Sequence, residues 1–139
     1  MRTKPGDIVV SAFVLGVLLS AGCLSLDTAD TFEASITTDR DTYRFGEAMQ
    51  LRVIVNTSQS MDNVTVSGSG LVSSKGPQLW LGPVTDDLIS GTNIFNFSKV
   101  VPQCSDCTKL SPGVYNITAS VNHDGERLAT VSCNVTLTR

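Results

Sequence analysis

The run Leu110-Ser111-Pro112-Gly113-Val114-Tyr115-Asn116-Ile117-Thr118-Ala119-Ser120-Val121 decides what kind of molecule this is. Pro112-Gly113 closes a loop, because proline cannot donate to a ladder and belongs at the margin of a strand. Beyond it Tyr115, Ile117, Ala119 and Val121 alternate with Asn116, Thr118 and Ser120. That is the period of a strand with one face in a core and the other in water. Such a strand needs a second layer over its apolar face, so the remaining segments are read as its partners.

Downstream, Asn122-His123-Asp124-Gly125-Glu126 predicts a hairpin with three loop residues, a type I turn plus a bulge. This geometry sets Cys133 opposite Tyr115. It also puts Ala129, Val131, Cys133, Val135 and Leu137 on the face of Tyr115 and Ile117. Upstream, Phe32, Ala34 and Ile36 alternate as a first, edge strand, and Asp39-Arg40-Asp41-Thr42 reads as a turn. Met49, Leu51, Val53 and Val55 form the next inward row, with Ile54 as an outward apolar residue in need of cover. Residues 56–63 read as a polar loop. Val64 and Val66 open a third strand that Gly68, Ser69 and Gly70 are expected to break. Lys75-Gly76-Pro77 turns before Gln78-Leu79-Trp80-Leu81, residues 83–91 read as irregular, and Phe95 and Phe97 point inward from Thr92–Ser98. Phe32, Phe45, Trp80, Phe95, Phe97 and Tyr115 are expected to fill much of the core. Trp80 is placed in that core or over an open sandwich end, with a binding role as the alternative.

A chain of 139 residues makes one ordinary domain. A hydrophobic share of 41% against 17% charged is too apolar for a disordered chain. The net charge of -3, without any basic block, argues against a nucleic-acid partner. At the amino end Arg2 and Lys4 precede an uncharged apolar run from Ile8 to Gly22. Basic, apolar and small-residue regions in that order predict an export signal. The run is shorter than the about 20 residues a spanning helix needs. Leu19-Ser20-Ala21-Gly22-Cys23 resembles the lipobox at which prokaryotic lipoproteins are cleaved and lipidated on cysteine, with the leucine one place further from the cysteine than usual. The domains expected are a lipoprotein-type signal at 1–22, a lipidated tether at 23–31 and a β domain at 32–138. A retained anchor helix and simple secretion are the alternatives to a lipid on Cys23.

The loop before Leu110 and the Pro-Gly-x-Tyr start of its strand resemble the sixth strand of a fibronectin-type-III or immunoglobulin-like sandwich. There the tyrosine hydroxyl closes back onto the loop. Tyr43-Arg44-Phe45-Gly46-Glu47 resembles the first-to-second strand link of bacterial and archaeal immunoglobulin-like domains. Val101-Pro102-Gln103-Cys104-Ser105-Asp106-Cys107 resembles a loop of uncharacterised lipoproteins of methanogenic archaea. The family resemblance is to prokaryotic, archaeal cell-surface lipoproteins with a fibronectin-III/CARDB-like domain. It implies an all-β fold, a seven-stranded immunoglobulin-like antiparallel β-sandwich behind an apolar signal or anchor segment. It also implies a location outside the cytoplasm, anchored to the outer face of the cell membrane.

Groups able to carry chemistry are few. Asn56, Asn63, Asn96, Asn116 and Asn134 each head an Asn-x-Ser/Thr acceptor for N-glycosylation. In an oxidising compartment Cys104 and Cys107 are expected to form a local disulfide, leaving Cys133 as a small core hydrophobe. A bond from either cysteine to Cys133 stays open, because spacing alone does not fix connectivity. A redox pair would want a helix start after a strand. A zinc site would need His123 and Cys133 together, which a straight strand keeps about 30 Å apart. Asp86-Asp87 or Asp39/Asp41 could hold calcium between loops, against the commoner role of solvated turn acids. With His123 the one histidine, no catalytic residue, no cofactor and no metal is assigned. The function expected is a non-catalytic surface domain for envelope structure, adhesion or protein–protein interaction. Its partners would be membrane lipid at the amino end and an envelope protein or a second copy. The alternative is a ligand-binding or accessory subunit of an exported membrane-associated complex, using loops around Trp80, Asp86 and Asp87.

Overall fold

The structure, a computed structural model, describes residues 31–103 and 105–139. The expected signal at 1–22, Cys23 and Cys104 lie outside the described residues. Eight strands follow one another: β1 (Phe32–Thr38), β2 (Thr42–Arg44), β3 (Ala48–Thr57), β4 (Met61–Ser73), β5 (Gly76–Leu88), β6 (Gly91–Val100), β7 (Gly113–His123) and β8 (Glu126–Thr138). One helical turn, α1 (Ser105–Thr108), stands between β6 and β7. The strands make a three-stranded sheet in the order β1-β3-β6 and a five-stranded sheet in the order β2-β8-β7-β4-β5. Among the described residues no helix is long and apolar enough to cross a membrane.

Alternation builds the core as expected. On β3, Met49, Leu51, Val53 and Val55 are buried, and Phe95 and Phe97 of β6 join them. From the other sheet come Val64, Val66, Leu79, Leu81, Ile117, Ala119, Val121, Val135 and Leu137. Period-two patterns therefore supply two apolar faces that bury each other. Outward Ile54 pairs across the ladder with Ile94, so a neighbouring strand, not a loop, gives it partial cover.

Several expectations are corrected. Among the described residues there are eight strands rather than seven, and the sandwich is not wholly antiparallel. Thr42, read as turn, begins β2, which runs parallel to β8 with Tyr43 beside Leu137. The chain leaves one sheet after β1 and enters the other, where Thr136 N–H bonds Asp41 C=O at 2.8 Å. Gly68 and Gly70 do not break β4. They let it lie against β7: a Cβ on Gly70 would sit 2.7 Å from Ile117 Cγ1 and 2.9 Å from the Asn116 carbonyl oxygen. Residues 83–88, read as irregular, complete β5. Pro83 is tolerated because β5 is an edge strand, and a register shift opposite Gly82-Pro83 absorbs it.

The β7–β8 hairpin closes on two residues, Asp124 (φ 51°) and Gly125 (φ 79°), the backbone of a type I′ turn. A further irregularity falls between Val121 and Asn122. The expected register is therefore two residues off: Cys133 faces Ile117, and Tyr115 faces Val135. Because the displacement is even, every side chain keeps its face. Trp80 is a larger correction. It lies 61% exposed outside the five-stranded sheet, since Leu79 and Leu81 take the inward places on either side. Tyr43, fully buried, supplies core volume that had been assigned to Trp80, while Phe32, Phe45 and Tyr115 pack half-buried at its margin.

Tyr115 does close onto its loop. Its hydroxyl donates to the Ser111 carbonyl oxygen at 2.7 Å and accepts from Ser111 N–H at 3.0 Å. Tyr115→Phe is expected to lower stability by about 1 kcal/mol in urea denaturation and to speed exchange of the Ser111 amide. Unchanged values for both would show that the loop is held elsewhere.

Candidate functional site

The five acceptor asparagines are all exposed. Asn56, expected in a loop, and Asn96 stand on the outer side of the three-stranded sheet, on β3 and β6. Asn116 and Asn134 stand opposite each other on β7 and β8, outside the five-stranded sheet. Asn116 Nδ2 donates to Asn134 Oδ1 at 3.1 Å, and Thr118 Oγ1 donates to Asn116 Oδ1 at 2.7 Å. Asn63, expected in a loop, is in β4 with a positive φ of 57°, its N–H on Asp87 Oδ1 at 2.9 Å.

The loop between β6 and β7 is tied down at both ends. Val101 and Leu110 are buried, Leu110 N–H bonds Thr108 Oγ1 at 3.2 Å, and the Ser73 hydroxyl bonds the Thr108 carbonyl oxygen. Cys107 is exposed on α1. Cys133 is a free thiol, half-buried against the core, with burial pushing its ionisation up. A bond from Cys104 or Cys107 to Cys133 is thereby set aside. The other polar candidates are engaged locally. Asp86 Oδ1 accepts from Asp87 N–H at 2.8 Å, and His123 lies 3.5 Å from Asp124. Among the described residues no three His, Cys, Asp or Glu side chains gather as metal ligands would.

The link from β1 to β3 explains the Tyr-x-x-Gly-Glu pattern. Tyr43 donates its hydroxyl to Asp39 Oδ1 at 2.5 Å and accepts from Arg40 N–H at 2.9 Å. The Tyr43 hydroxyl and the Gln50 N–H hold the Asp39 carboxyl below its ordinary range. Glu47 Oε1 accepts from Arg44 N–H at 2.7 Å, chiefly that bond lowering its pKa. Gly46 takes φ 91°, donates to Val101 C=O at 2.8 Å and passes against the Gln103 side chain, so a side chain there would have to displace Gln103 and hold a strained backbone.

Two surfaces escaped sequence reasoning. One is β6, which pairs with β3 over ten consecutive residues and, among the described residues, has no strand on its other side. The second is the outer face of β5, β4 and β7, where Trp80 stands beside Ser69, whose own neighbour is Thr118. Period-two alternation through Leu79-Trp80-Leu81 was the signal that could have placed the indole.

Three strands facing five, with a tyrosine corner at the start of β7, define an immunoglobulin-like β-sandwich. No family model matches the chain, and no curated protein matches it in sequence. Among solved structures it is similar to the CARDB domain of a Pyrococcus furiosus protein, determined in complex with di-metal ions. That likeness has TM-score 0.56 and 14% identity, covering 78% of this chain and 89% of that one. It is also similar to part of an alkylpurine DNA glycosylase of Pseudomonas fluorescens, at TM-score 0.55 and 17% identity, covering 79% of this chain and 30% of that one. A β-glucosidase of Erythrobacter marinus gives TM-score 0.54 and 16% identity, covering 78% of this chain and 16% of that one. The chain thus spans a minor part of both enzymes. At these identities the likeness concerns the fold, and the immunoglobulin-like, CARDB-like architecture expected from sequence is borne out.

Proposed function

We propose that this chain is a non-catalytic cell-surface domain that works by holding an envelope partner or a second copy along strand β6. The observation that carries this is the open edge of β6. It is ten residues long, pairs in unbroken register with β3 and contains no proline. Its one charged side chain is Lys99, and Ile94 and Val100 are 52% and 62% exposed. Proteins blunt such edges unless they use them, and an extended segment can add there as a further strand. Of the other edges, β1 is shorter at seven residues, β2 has three, and β5 carries Pro77, Pro83 and a register shift.

The leader, a lipid on Cys23 and a Cys104–Cys107 staple complete the proposal. Support for the staple is that Cys133 is free among the described residues. Support for glycans is the exposure of all five acceptor asparagines. Two acyl chains would make attachment durable where one would not. The test is recovery of the full lipidated chain from native membranes, with intact mass for acyl, hexose and the two hydrogens lost to a disulfide. Wild type is expected to bring down a stoichiometric partner or itself, and Ile94→Lys to release it while staying folded. Equal recovery by both would refute the β6 mechanism.

A further inference from the structure

We propose that the outer face of the five-stranded sheet binds a neutral glycan chain in a groove beside Trp80. The proposal is independent of the β6 edge, which belongs to the other sheet. An open trough of about 420 Å³ lies along the indole, floored by Ser67, Ser69, Thr118 and Ser120. A second trough, about 310 Å³, continues past Asn116 and Val114 and shares Ser69 and Thr118 with the first. The two make one groove from β5 across β4 to β7, of a size usual for small-ligand sites.

Its chemistry selects the occupant. No Asp, Glu, Lys, Arg or His lines either trough, so a phosphate, a nucleic acid or an ionised peptide would be desolvated there without a counter-charge. A neutral polyol meets no such cost. Trp80 offers a flat, mostly exposed apolar ring to the C–H face of a sugar, and hydroxyl side chains donate and accept as sugar hydroxyls do. Ser67, Ser69 and Ser120 are half-buried, and their side chains hydrogen-bond nothing else among the described residues. Strand propensity would favour threonine or valine at such positions. Serine lowers the floor, so that a ring can lie against the indole. A single exposed tryptophan is unremarkable by itself. Here it forms the wall of a neutral groove floored by hydroxyl side chains and continued by a second trough.

A glycan can come from two sources. Asn116 lines the groove and heads an acceptor sequence, so a glycan attached there would begin inside it. An external polysaccharide would enter from the open side of β5. Trp80 is the chain's one tryptophan, so its emission reports on this groove alone. The full chain, made without glycans, is titrated with cellohexaose, maltohexaose and mannohexaose up to about 10 mM, the weak limit for a useful site. The natively glycosylated chain is probed with acrylamide.

An external ligand is supported if at least one hexamer blue-shifts the emission. Trp80→Ala should then weaken retention in an affinity gel by about tenfold or more, and Ser69→Ala to a lesser degree. An attached glycan is supported if Trp80 is shielded from acrylamide in the native chain and Asn116→Gln restores quenching. The proposal is overturned if no hexamer alters emission and Trp80 is equally quenched with and without glycans. It is also overturned if Trp80→Ala binds every hexamer as wild type does.

Discussion

Replacing Gly70 with alanine should cost about 2–4 kcal/mol of stability, among the largest losses from one methyl group anywhere in the chain. Gly70 is buried, and the methyl would come 2.9 Å from both the Asn116 carbonyl oxygen and Ile117 Cα. Two of the obstructing atoms are backbone in the neighbouring strand, so relief requires β4 to move away from β7 and stretch their ladder. Gly68 meets the same obstacle in the Thr118 carbonyl oxygen and should lose a similar amount. Ser69 between them points outward, and Ser69→Ala should change stability by about 0.5 kcal/mol or less. Urea midpoints at constant m-value would show a sawtooth over three consecutive residues. A flat profile would mean that β4 and β7 do not approach as closely as the register places them.

The same residues show what could be read without coordinates. Alternation in β3 and β7 marked Met49, Leu51, Val53, Val55, Ile117, Ala119 and Val121 as core, and all are buried. Those rows repeat a local rule over several residues, so little else competes with them. Glycine in a strand carries two meanings, a break or a close approach, and only the opposing strand decides between them. At Gly70 the opposing strand lies some 47 residues away along the chain, in Ile117. Strand β2 was missed because three residues show no period. The open edge of β6 was hidden for a different reason: strand order is a property of the whole sheet. The acceptor asparagines were legible from spacing, and the exposure of Asn96, Asn116 and Asn134 from parity, whereas the groove beside Trp80 needed three strands to be placed side by side.

Tyr43→Ala should unfold the chain at lower denaturant by about 3–5 kcal/mol, the cost of removing a fully buried aromatic side chain. The ring fills core beside Leu137, and the Arg40 guanidinium lies 4.7 Å from its centroid. Tyr43→Phe keeps that volume and isolates the hydroxyl, so its loss should be smaller and dependent on pH. The hydroxyl donates to the Asp39 carboxylate, and this bond is the first cause of the low Asp39 pKa. A carboxyl whose folded pKa lies below its unfolded value of 3.8 adds stability above that value. The contribution disappears as pH falls through the folded pKa, where both states are protonated. Wild type should therefore exceed Tyr43→Phe by most near neutrality, and the two should converge as the solution is acidified below about pH 4. Glu47, also depressed but by Arg44 N–H, titrates alike in both proteins and drops out of the difference. A gap that stays constant down to pH 2 would show the hydroxyl acting through Arg40 N–H instead of through the carboxylate.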